Sequence, residues 1–210
     1  MELWATENNM PDAGFFTQLG LVAIINFLDT ELCESFRVEM ESAVDFPATV
    51  RAGREDVVDE TVRRVSKVKV SPESKLLLDA RLREVQPEME RHFGVTLRGF
   101  EKPQFLVYRE GCFYTPHQDS TDDDEAEDYF KQRKVSVVIF LNDESDTAQR
   151  DSYGGGRLTF YGLLKDPLWE KCGLPLIGEA GLLIAFLSDV THEVKPVIHG
   201  TRYSIVTWFF

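Results

Sequence analysis

The apolar positions of the first hundred residues follow a helical period in two places. In the first, Leu32, Phe36 and Met40 recur every four residues behind Asp29 and Thr30, either of which can cap a helix. We therefore predict a packing helix that starts close to residue 30. Residues 49 to 70 mix β-branched and charged side chains, as in VRRVSKVKV, and this pattern predicts one or two strands.

The second helical stripe begins at Ser71 and Pro72, a capping hydroxyl followed by a proline that suits the first helical position. Its apolar members are Leu78, Leu82, Val85, Met89 and Phe93. Pro87 predicts a kink in this helix. Gly94 predicts its end, because glycine readily takes the left-handed conformation of a helix C-terminus.

From about residue 100 the pattern changes to short β-branched and aromatic runs bounded by Gly, Asp and Asn. The runs are PQFLVY, KVSVVIFLN, GRLTFYG, AGLLIAFL, HEVKPVI and TRYSIVTWFF. Since no helical stripe separates them, they predict an antiparallel sandwich or barrel. The triple glycine, Gly154 to Gly156, predicts a turn with positive φ before the next strand. The expected fold class is therefore mainly β with N-terminal helices (α+β).

Composition and charge exclude several classes of protein. The chain has 36 acidic and 23 basic side chains and a net charge of −13, which repels a phosphate backbone, so we expect no nucleic-acid partner. It has no run of eighteen apolar residues and no leader of the secretory kind, which predicts a cytoplasmic protein without a membrane segment. Cys33, Cys112 and Cys172 lie far apart and predict neither a disulfide framework nor a zinc-thiolate site.

The segment YTPHQDS holds the first candidate ligands. In an extended chain, residues two apart face the same side, so His117 and Asp119 can offer a nitrogen and a carboxylate oxygen to one ion. His192, after the strand-like run GLLIAFLSDVT, is the candidate third ligand. Two histidines and one carboxylate are typical of non-haem Fe(II) oxygenases, although they also suit zinc in hydrolases. The other histidines have structural explanations, His92 at a helix C-terminus and His199 in a predicted turn.

The last run, TRYSIVTWFF, predicts a buried arginine. Its alternation places Arg202, Ser204, Val206 and Trp208 on one face of a strand. An arginine in a buried strand is costly without an anionic partner, and its guanidinium fork can hold the carboxylate of a ligand through two hydrogen bonds. We therefore expect a carboxylate ligand beside Arg202.

Four segments together resemble the 2-oxoglutarate and Fe(II)-dependent dioxygenases, and within them the prolyl 4-hydroxylase-like branch. The segments are LVYREGCFYTPHQDS, VSVVIFLND, GGGRLTFYG and HEVKPVIHGTRYSIVTWFF, in this order. INFLDTELCESF gives weaker support near the start. The resemblance implies a double-stranded β-helix, or jelly-roll, core over residues 100–210. With no linker dividing the chain, we expect a single domain over 1–210, in which 1–99 form a helical support region with one or two strands.

The resemblance implies roles for individual residues. His117, Asp119 and His192 are the expected iron ligands. Arg202 is the expected partner of the distal carboxylate of 2-oxoglutarate. Tyr108 matches a tyrosine that lines the cosubstrate pocket in such enzymes.

The resemblance also implies roles for three aromatic residues. Tyr114 and Trp208 match positions near the metal, where they would shape the substrate side. The position before Leu-Asn is often a tyrosine that contacts 2-oxoglutarate, and here it is Phe140. Tyr108 or Ser136 can supply the missing hydrogen bond; the alternative is a lower affinity for the cosubstrate.

The resemblance also implies an activity. Such enzymes hydroxylate a C–H bond while 2-oxoglutarate is decarboxylated to succinate, and they need Fe(II), 2-oxoglutarate and O₂, with ascorbate as a reductant. The leading interpretation is a prolyl or other residue of a protein as the substrate, and the alternative is a free amino acid or small metabolite. Nucleic-acid demethylases of the superfamily typically carry a second arginine where this chain has Trp208. A non-catalytic jelly-roll binding domain is a further alternative.

Two loops and a cysteine near the candidate site have structural explanations. Six of the seven residues from Asp122 to Asp128 are acidic, which is typical of a solvated loop, and the alternative is a rim that attracts a basic protein substrate. Residues 142 to 153 predict a strand connector or a lid. Cys112 has no neighbouring base in the sequence and is expected in the pocket wall or the core.

Overall fold

The β-branched runs of the second half of the chain pair into two facing antiparallel sheets. This arrangement is seen in a computed structural model that describes residues 13–52, 55–121, 128–164 and 172–210. The helices are α1 (Ala13–Gln18), α2 (Thr30–Ser42), α3 (Pro72–Phe93) and α4 (Asp128–Gln132). The strands are β1 (Val22–Ile24), β2 (Asp45–Pro47), β3 (Val50–Ala52), β4 (Glu55–Val57), β5 (Arg63–Arg64), β6 (Ser66–Val68), β7 (Gln104–Tyr108), β8 (Phe113–His117), β9 (Val135–Phe140), β10 (Tyr153–Gly155), β11 (Leu158–Phe160), β12 (Leu174–Leu176), β13 (Leu183–Leu187), β14 (His192–Val194), β15 (Val197–Gly200) and β16 (Arg202–Phe209).

The larger sheet has seven strands in the order β1-β13-β9-β16-β7-β6-β2, and the smaller has five in the order β12-β11-β14-β8-β5. Two short ribbons, β3-β4 and β10-β15, complete the described strands. The strands of both sheets pair antiparallel. This architecture confirms the expected α+β class with a jelly-roll core.

Residues 49 to 70 differ from the prediction, because their described part contains four short strands, β3 to β6, instead of one or two. β5 pairs with β8 of the smaller sheet, whereas β6 pairs with β7 of the larger sheet. Only Val65 lies between them, so the chain crosses from one sheet to the other at this residue. β5 lies at the edge of the smaller sheet, where a short strand tolerates charged side chains.

Both predicted helices begin where their capping residues indicate, and α3 also ends where its glycine predicts. Asp29 and Ser71 accept backbone N–H hydrogen bonds at the starts of α2 and α3, at 2.8 and 3.1 Å. Gly94 ends α3 with a left-handed φ of 66°. Pro87 lies inside α3, which continues to Phe93.

Two apolar cores lie on opposite faces of the larger sheet. The first packs α2 and α3 onto the sheet and includes Phe36, Met40, Leu78, Leu82, Met89, Ile139, Ile205 and Phe209. The second lies between the two sheets and includes Tyr108, Phe140, Leu158, Phe160, Phe186 and Val194. The alternation of β16 therefore has the predicted effect, since Ile205 and Phe209 face the helices while Arg202 and Ser204 face the other side.

The triple glycine does more than turn the chain. Gly154 and Gly155 belong to β10, with a register shift between them, and Gly155 and Gly156 have φ values of 71° and 61°. His199, predicted in a turn, lies instead in β15 opposite Gly154. A Cβ atom at Gly154 would lie only 2.1 Å from His199 Nε2, so this position requires glycine for close packing as well as for bending.

The loop predictions have mixed outcomes. Residues 122–127 of the acidic run lie outside the described residues. Residues 142–152 connect β9 to β10, and the Asn142 side chain donates hydrogen bonds to the carbonyl oxygens of Asp151 and Thr201 at 3.1 and 2.8 Å. Cys112 packs at the border of the second core, as expected. Among the described residues, no helix has the length and apolar character needed to cross a membrane.

Candidate metal centre and cosubstrate pocket

The smaller sheet brings the three predicted metal ligands together. His192 on β14 lies directly opposite His117 on β8 in the strand register, and Asp119 follows two residues after His117. One donor atom from each of the three residues lies within 4.8 Å of the others. Two strands that are distant in sequence therefore form one cluster of two imidazoles and a carboxylate.

The two histidine rings are oriented by backbone carbonyl groups. His117 Nδ1 lies 2.8 Å from the Thr115 carbonyl oxygen, and His192 Nδ1 lies 2.9 Å from that of Val190. Because a carbonyl oxygen only accepts, each Nδ1 carries the proton and each Nε2 keeps its lone pair. Burial first, and then the closeness of His192, lowers the pKa of His117, which keeps this ring in the neutral form that binds a metal.

Asp119 is held as an ionised carboxylate by its neighbours. Ser136 Oγ donates to its Oδ2 at 2.7 Å, and Trp208 supplies a second side-chain hydrogen bond. Burial alone would raise the pKa of Asp119, but the two histidine rings and these hydrogen bonds outweigh it and lower the pKa below 3.8. The backbone N–H groups of Asp119 and Ser120 both donate to the Ser188 carbonyl oxygen, at 2.9 and 3.0 Å, and this fixes the loop after β8.

The spacing of these donor atoms fits one metal ion. The Asp119 carboxylate oxygens lie 3.7 Å from His117 Nε2 and 3.4 Å from His192 Nε2. Neighbouring ligands about 2.1 Å from a six-coordinate ion are about 3 Å apart, so small side-chain movements suffice for binding. Two imidazoles and one carboxylate match the facial triad of non-haem Fe(II) oxygenases, which leaves adjacent coordination positions open.

An aromatic stack supports His117 from the side. The Tyr114 ring is stacked on the His117 ring with centroids 3.5 Å apart and planes at 17°. The Arg63 guanidinium lies over the Tyr114 ring, 4.7 Å from the ring centroid. The structure therefore places Tyr114 beside the triad, where the sequence expects it, and adds Arg63 behind it.

Arg202 lies in a pocket that fits an anion. Its side chain is 1% exposed, and Nη1 donates to Ser204 Oγ at 2.7 Å. Its Nε and Nη2 atoms are buried without a hydrogen-bond partner among the described residues. Tyr108 and Phe140, from the strands on either side of β16, place their ring centroids 5.1 and 4.9 Å from the guanidinium carbon. Two unpaired donors on a buried cation favour a carboxylate ligand, which is the cosubstrate chemistry that the sequence predicts.

One cavity connects the metal triad with Arg202. Its volume is about 510 Å³, and it opens between the two sheets. The predicted site residues that line it are Tyr108, Tyr114, His117, Asp119, His192, Arg202 and Trp208. Ser136 is placed differently, because its hydroxyl contacts Asp119 Oδ2 and Ser188 Oγ, at 2.7 and 3.0 Å. We assign it to the orientation of the carboxylate, not to the hydrogen bond that Phe140 cannot make.

Sequence reasoning missed a cation beside the triad. Arg133 is 8% exposed, its Nε and Nη2 bind the Glu101 carboxylate at 2.5 and 2.8 Å, and its guanidinium lies 3.8 Å from the Trp208 ring centroid. Its Nη1 donates to the Asp119 carbonyl oxygen at 3.3 Å. In the sequence Arg133 belongs to the charged stretch KQRK, which resembles a solvated surface. The only signal was its position just before the buried strand β9.

Comparison with known proteins agrees with this geometry. The family model described as the 2OG-Fe(II) oxygenase superfamily matches residues 103–210. No curated protein matches the sequence significantly. Among solved structures, a prolyl-4-hydroxylase from Pseudomonas putida has 27% sequence identity and a TM-score of 0.67, over 90% of this chain and 91% of that chain.

Two more distant structures share the fold. A prolyl hydroxylase from Trichoplax adhaerens, in complex with a peptide fragment of the oxygen degradation domain of hypoxia inducible factor, has 21% identity and a TM-score of 0.72, over 94% of this chain and 86% of that chain. A viral collagen prolyl hydroxylase from Paramecium Bursaria Chlorella virus-1, in complex with 2OG, has 17% identity and a TM-score of 0.61, over 90% and 95%. Because the family model alone spans more than half of the 210 residues, this chain belongs to the 2OG-Fe(II) oxygenase superfamily.

Proposed function

We propose that the protein is an Fe(II)- and 2-oxoglutarate-dependent hydroxylase that acts on a prolyl residue of a polypeptide. The observation that carries the proposal is the single cavity that joins the His117, Asp119 and His192 triad to the buried guanidinium of Arg202. A metal site with a structural role alone would not need a neighbouring arginine, and a surface arginine would not need a neighbouring metal site. A cosubstrate with a metal-binding end and a distal carboxylate needs both.

Each part of the site has a distinct task. When bound, Fe(II) with 2-oxoglutarate and O₂ supplies the oxidising power that inserts oxygen into a C–H bond, and 2-oxoglutarate leaves as succinate and carbon dioxide. The triad holds the ion, with Nε2 of each histidine free to ligate. Arg202 orients the cosubstrate by its far end. The apolar walls between the sheets limit the access of water to the reacting atoms.

The rim of the cavity supports a polypeptide substrate. Residues of the β3-β4 ribbon and its flanks, including Thr49, Val50, Val57 and Asp59, line the same cavity as the triad. A ribbon on one side of an open groove suits an extended chain better than a small enclosed metabolite. The Pseudomonas putida structure described above is that of a prolyl-4-hydroxylase, and the Trichoplax adhaerens structure contains a bound peptide, which also favours this class.

A second groove favours acidic residues near the target. Four lysines, Lys67, Lys69, Lys75 and Lys102, line it, although the whole chain has a net charge of −13. It shares Lys67, Glu101 and Gln104 with the active-site cavity, so one peptide can occupy both. The positive charge of this groove attracts carboxylates and therefore favours an acidic substrate. The acidic run from Asp122 to Asp128, taken alone, would favour a basic one.

The proposal is tested by succinate formation with Fe(II), 2-oxoglutarate, ascorbate and proline-containing peptides. We expect turnover, an added oxygen atom on the peptide by mass spectrometry, and no turnover by Asp119→Ala. Two peptides that are identical except for Asp or Asn beside the proline should differ in KM, with the lower KM for the Asp peptide. The double variant Lys69→Ala, Lys102→Ala should reduce that difference. Turnover of free amino acids but of no peptide would refute the polypeptide assignment. Metal and 2-oxoglutarate binding without succinate formation on any substrate would favour a binding domain.

A further inference from the structure

Tyr153 is a buried tyrosine whose hydroxyl proton has no acceptor among the described residues. The side chain is 0% exposed, at the start of β10, and its hydroxyl oxygen is buried without a hydrogen bond of acceptable geometry. The two side chains are neighbours, because a Cβ atom built on Gly156 would lie 3.1 Å from Arg202 Cδ and 3.4 Å from Tyr153 Cε2. The Arg202 guanidinium beside the hydroxyl can only donate to its oxygen, so the hydroxyl proton stays without an acceptor. A buried hydroxyl without a partner is costly, so this one calls for an explanation.

The hydroxyl of Tyr153 lies next to the ring of Phe140. A Cβ atom built on Gly178 would be 2.0 Å from the Tyr153 hydroxyl oxygen and 2.7 Å from Phe140 Cδ1. Both side chains therefore meet at the same glycine. Phe140, on β9, is the position where related enzymes often carry a tyrosine. The hydroxyl of Tyr153, on β10, can take the place of the tyrosine hydroxyl that is absent there.

Three buried donors of Arg202 and its neighbour Tyr153 have no acceptor among the described residues. They are Nε and Nη2 of Arg202 and the hydroxyl of Tyr153. Burial raises the pKa of Tyr153 to about 12, so the hydroxyl keeps its proton and can donate at neutral pH. Of the two candidates that the sequence offered, Ser136 already contacts Asp119 and Ser188. Tyr108 packs the face of its ring against the Arg202 guanidinium, 5.1 Å from the ring centroid.

We propose that Tyr153 donates a hydrogen bond to the distal carboxylate of 2-oxoglutarate beside Arg202, in place of the tyrosine that Phe140 replaces. The inference rests on the proposed cosubstrate. It adds a residue from a different strand to the cosubstrate site. It also explains why Gly178 has no side chain, because a methyl group there would occupy the place of the hydroxyl.

The test measures binding and needs no turnover. Metal-loaded protein, with Mn(II) as a redox-stable ion, is titrated calorimetrically with 2-oxoglutarate and with 2-oxobutanoate, which lacks the distal carboxylate. Tyr153→Phe should weaken 2-oxoglutarate binding about ten-fold, the effect of one charge-assisted hydrogen bond, and leave 2-oxobutanoate binding unchanged. Tyr153→Phe combined with Phe140→Tyr should recover most of the loss.

Each outcome separates this inference from the function on which it rests. Wild-type protein that does not bind 2-oxoglutarate contradicts both. Wild-type protein that binds it, with equal affinity in Tyr153→Phe or with equal loss for both acids, overturns the role of Tyr153 and leaves the proposed function standing. If Tyr153→Phe does not fold, Gly178→Ala provides the second variant: selective loss of 2-oxoglutarate binding supports the role, and unchanged binding refutes it.

Discussion

Removing the Ser136 hydroxyl should weaken metal binding without touching a ligand. In Ser136→Ala, the Asp119 carboxylate loses the hydrogen bond that reaches its Oδ2 at 2.7 Å. The Trp208 hydrogen bond remains as the other side-chain hydrogen bond to this carboxylate. Ser136 is 1% exposed, so water cannot easily replace the lost donor.

Two independent estimates give a similar magnitude for this loss. A hydrogen bond to a charged group contributes about 1.5–3 kcal/mol. Removal of a side chain that orients a metal ligand typically costs about 10- to 100-fold in metal affinity, or about 1.4–2.8 kcal/mol. We therefore expect the Kd for Mn(II) or Co(II) to rise by a factor of about 10 to 100.

The assay is competition with a fluorescent chelator under anaerobic conditions, with thermal unfolding to verify the fold. Ser204→Ala is the matched control, because it also removes a buried serine hydroxyl, in this case one that accepts from Arg202 Nη1 at 2.7 Å. It should change 2-oxoglutarate binding and leave metal affinity unaltered. An unchanged Kd in folded Ser136→Ala, or equal losses of metal affinity in both variants, would refute the reasoning.

Three other changes have predicted outcomes. Arg202→Ala should weaken the binding free energy of 2-oxoglutarate by about 2–5 kcal/mol and alter metal affinity little, as measured by calorimetry. Equal effects on both would contradict its role. Glu39 of α2 accepts hydrogen bonds at the start of α3 from the Ser71 N–H and from Ser74 Oγ. Burial alone would raise the pKa of Glu39, but these bonds lower it below 4.5. The carboxylate therefore stabilises the fold above pH 4.5 and loses this effect as the pH falls through the lowered pKa. Glu39→Gln should consequently be less stable than wild type in urea at pH 7, with the difference vanishing in acid; a constant difference would exclude this linkage. Leu82→Ala, at a fully buried position of α3, should cost about 2–5 kcal/mol in urea unfolding, and a cost below 1 kcal/mol would show that α3 is not part of the core.

Local signals in the sequence predicted the helices and one face of the site. The caps at Asp29 and Ser71 mark helix starts because a capping oxygen acts within the next turn. The alternation of β16 separated Arg202 from Ile205 because strand side chains have a period of two. Such rules need no knowledge of the partner strands.

What the sequence did not show depends on partners far along the chain. Ser136 approaches Asp119, and Tyr153 approaches Arg202, only because the sheets fold them together. Arg133 looked like a surface residue until Glu101 and the Trp208 ring enclosed it. The strand crossing at Val65 was likewise hidden, since β7 and β8, with which β6 and β5 pair, lie 37 to 51 residues further along the chain.

The division of the site between two sheets explains why the inter-sheet core matters for function. The histidine ligands lie on β8 and β14 of the smaller sheet, whereas Arg202 lies on β16 of the larger sheet. A single cosubstrate must reach both, so the spacing of the sheets sets how well its two ends fit. Phe186 helps to fix that spacing: it belongs to β13 of the larger sheet, yet its ring lies 4.7 Å from the His192 ring. Because packed cores transmit displacements, apolar residues between the sheets act on the metal and carboxylate sites together, even though none of them ligates or donates a hydrogen bond there.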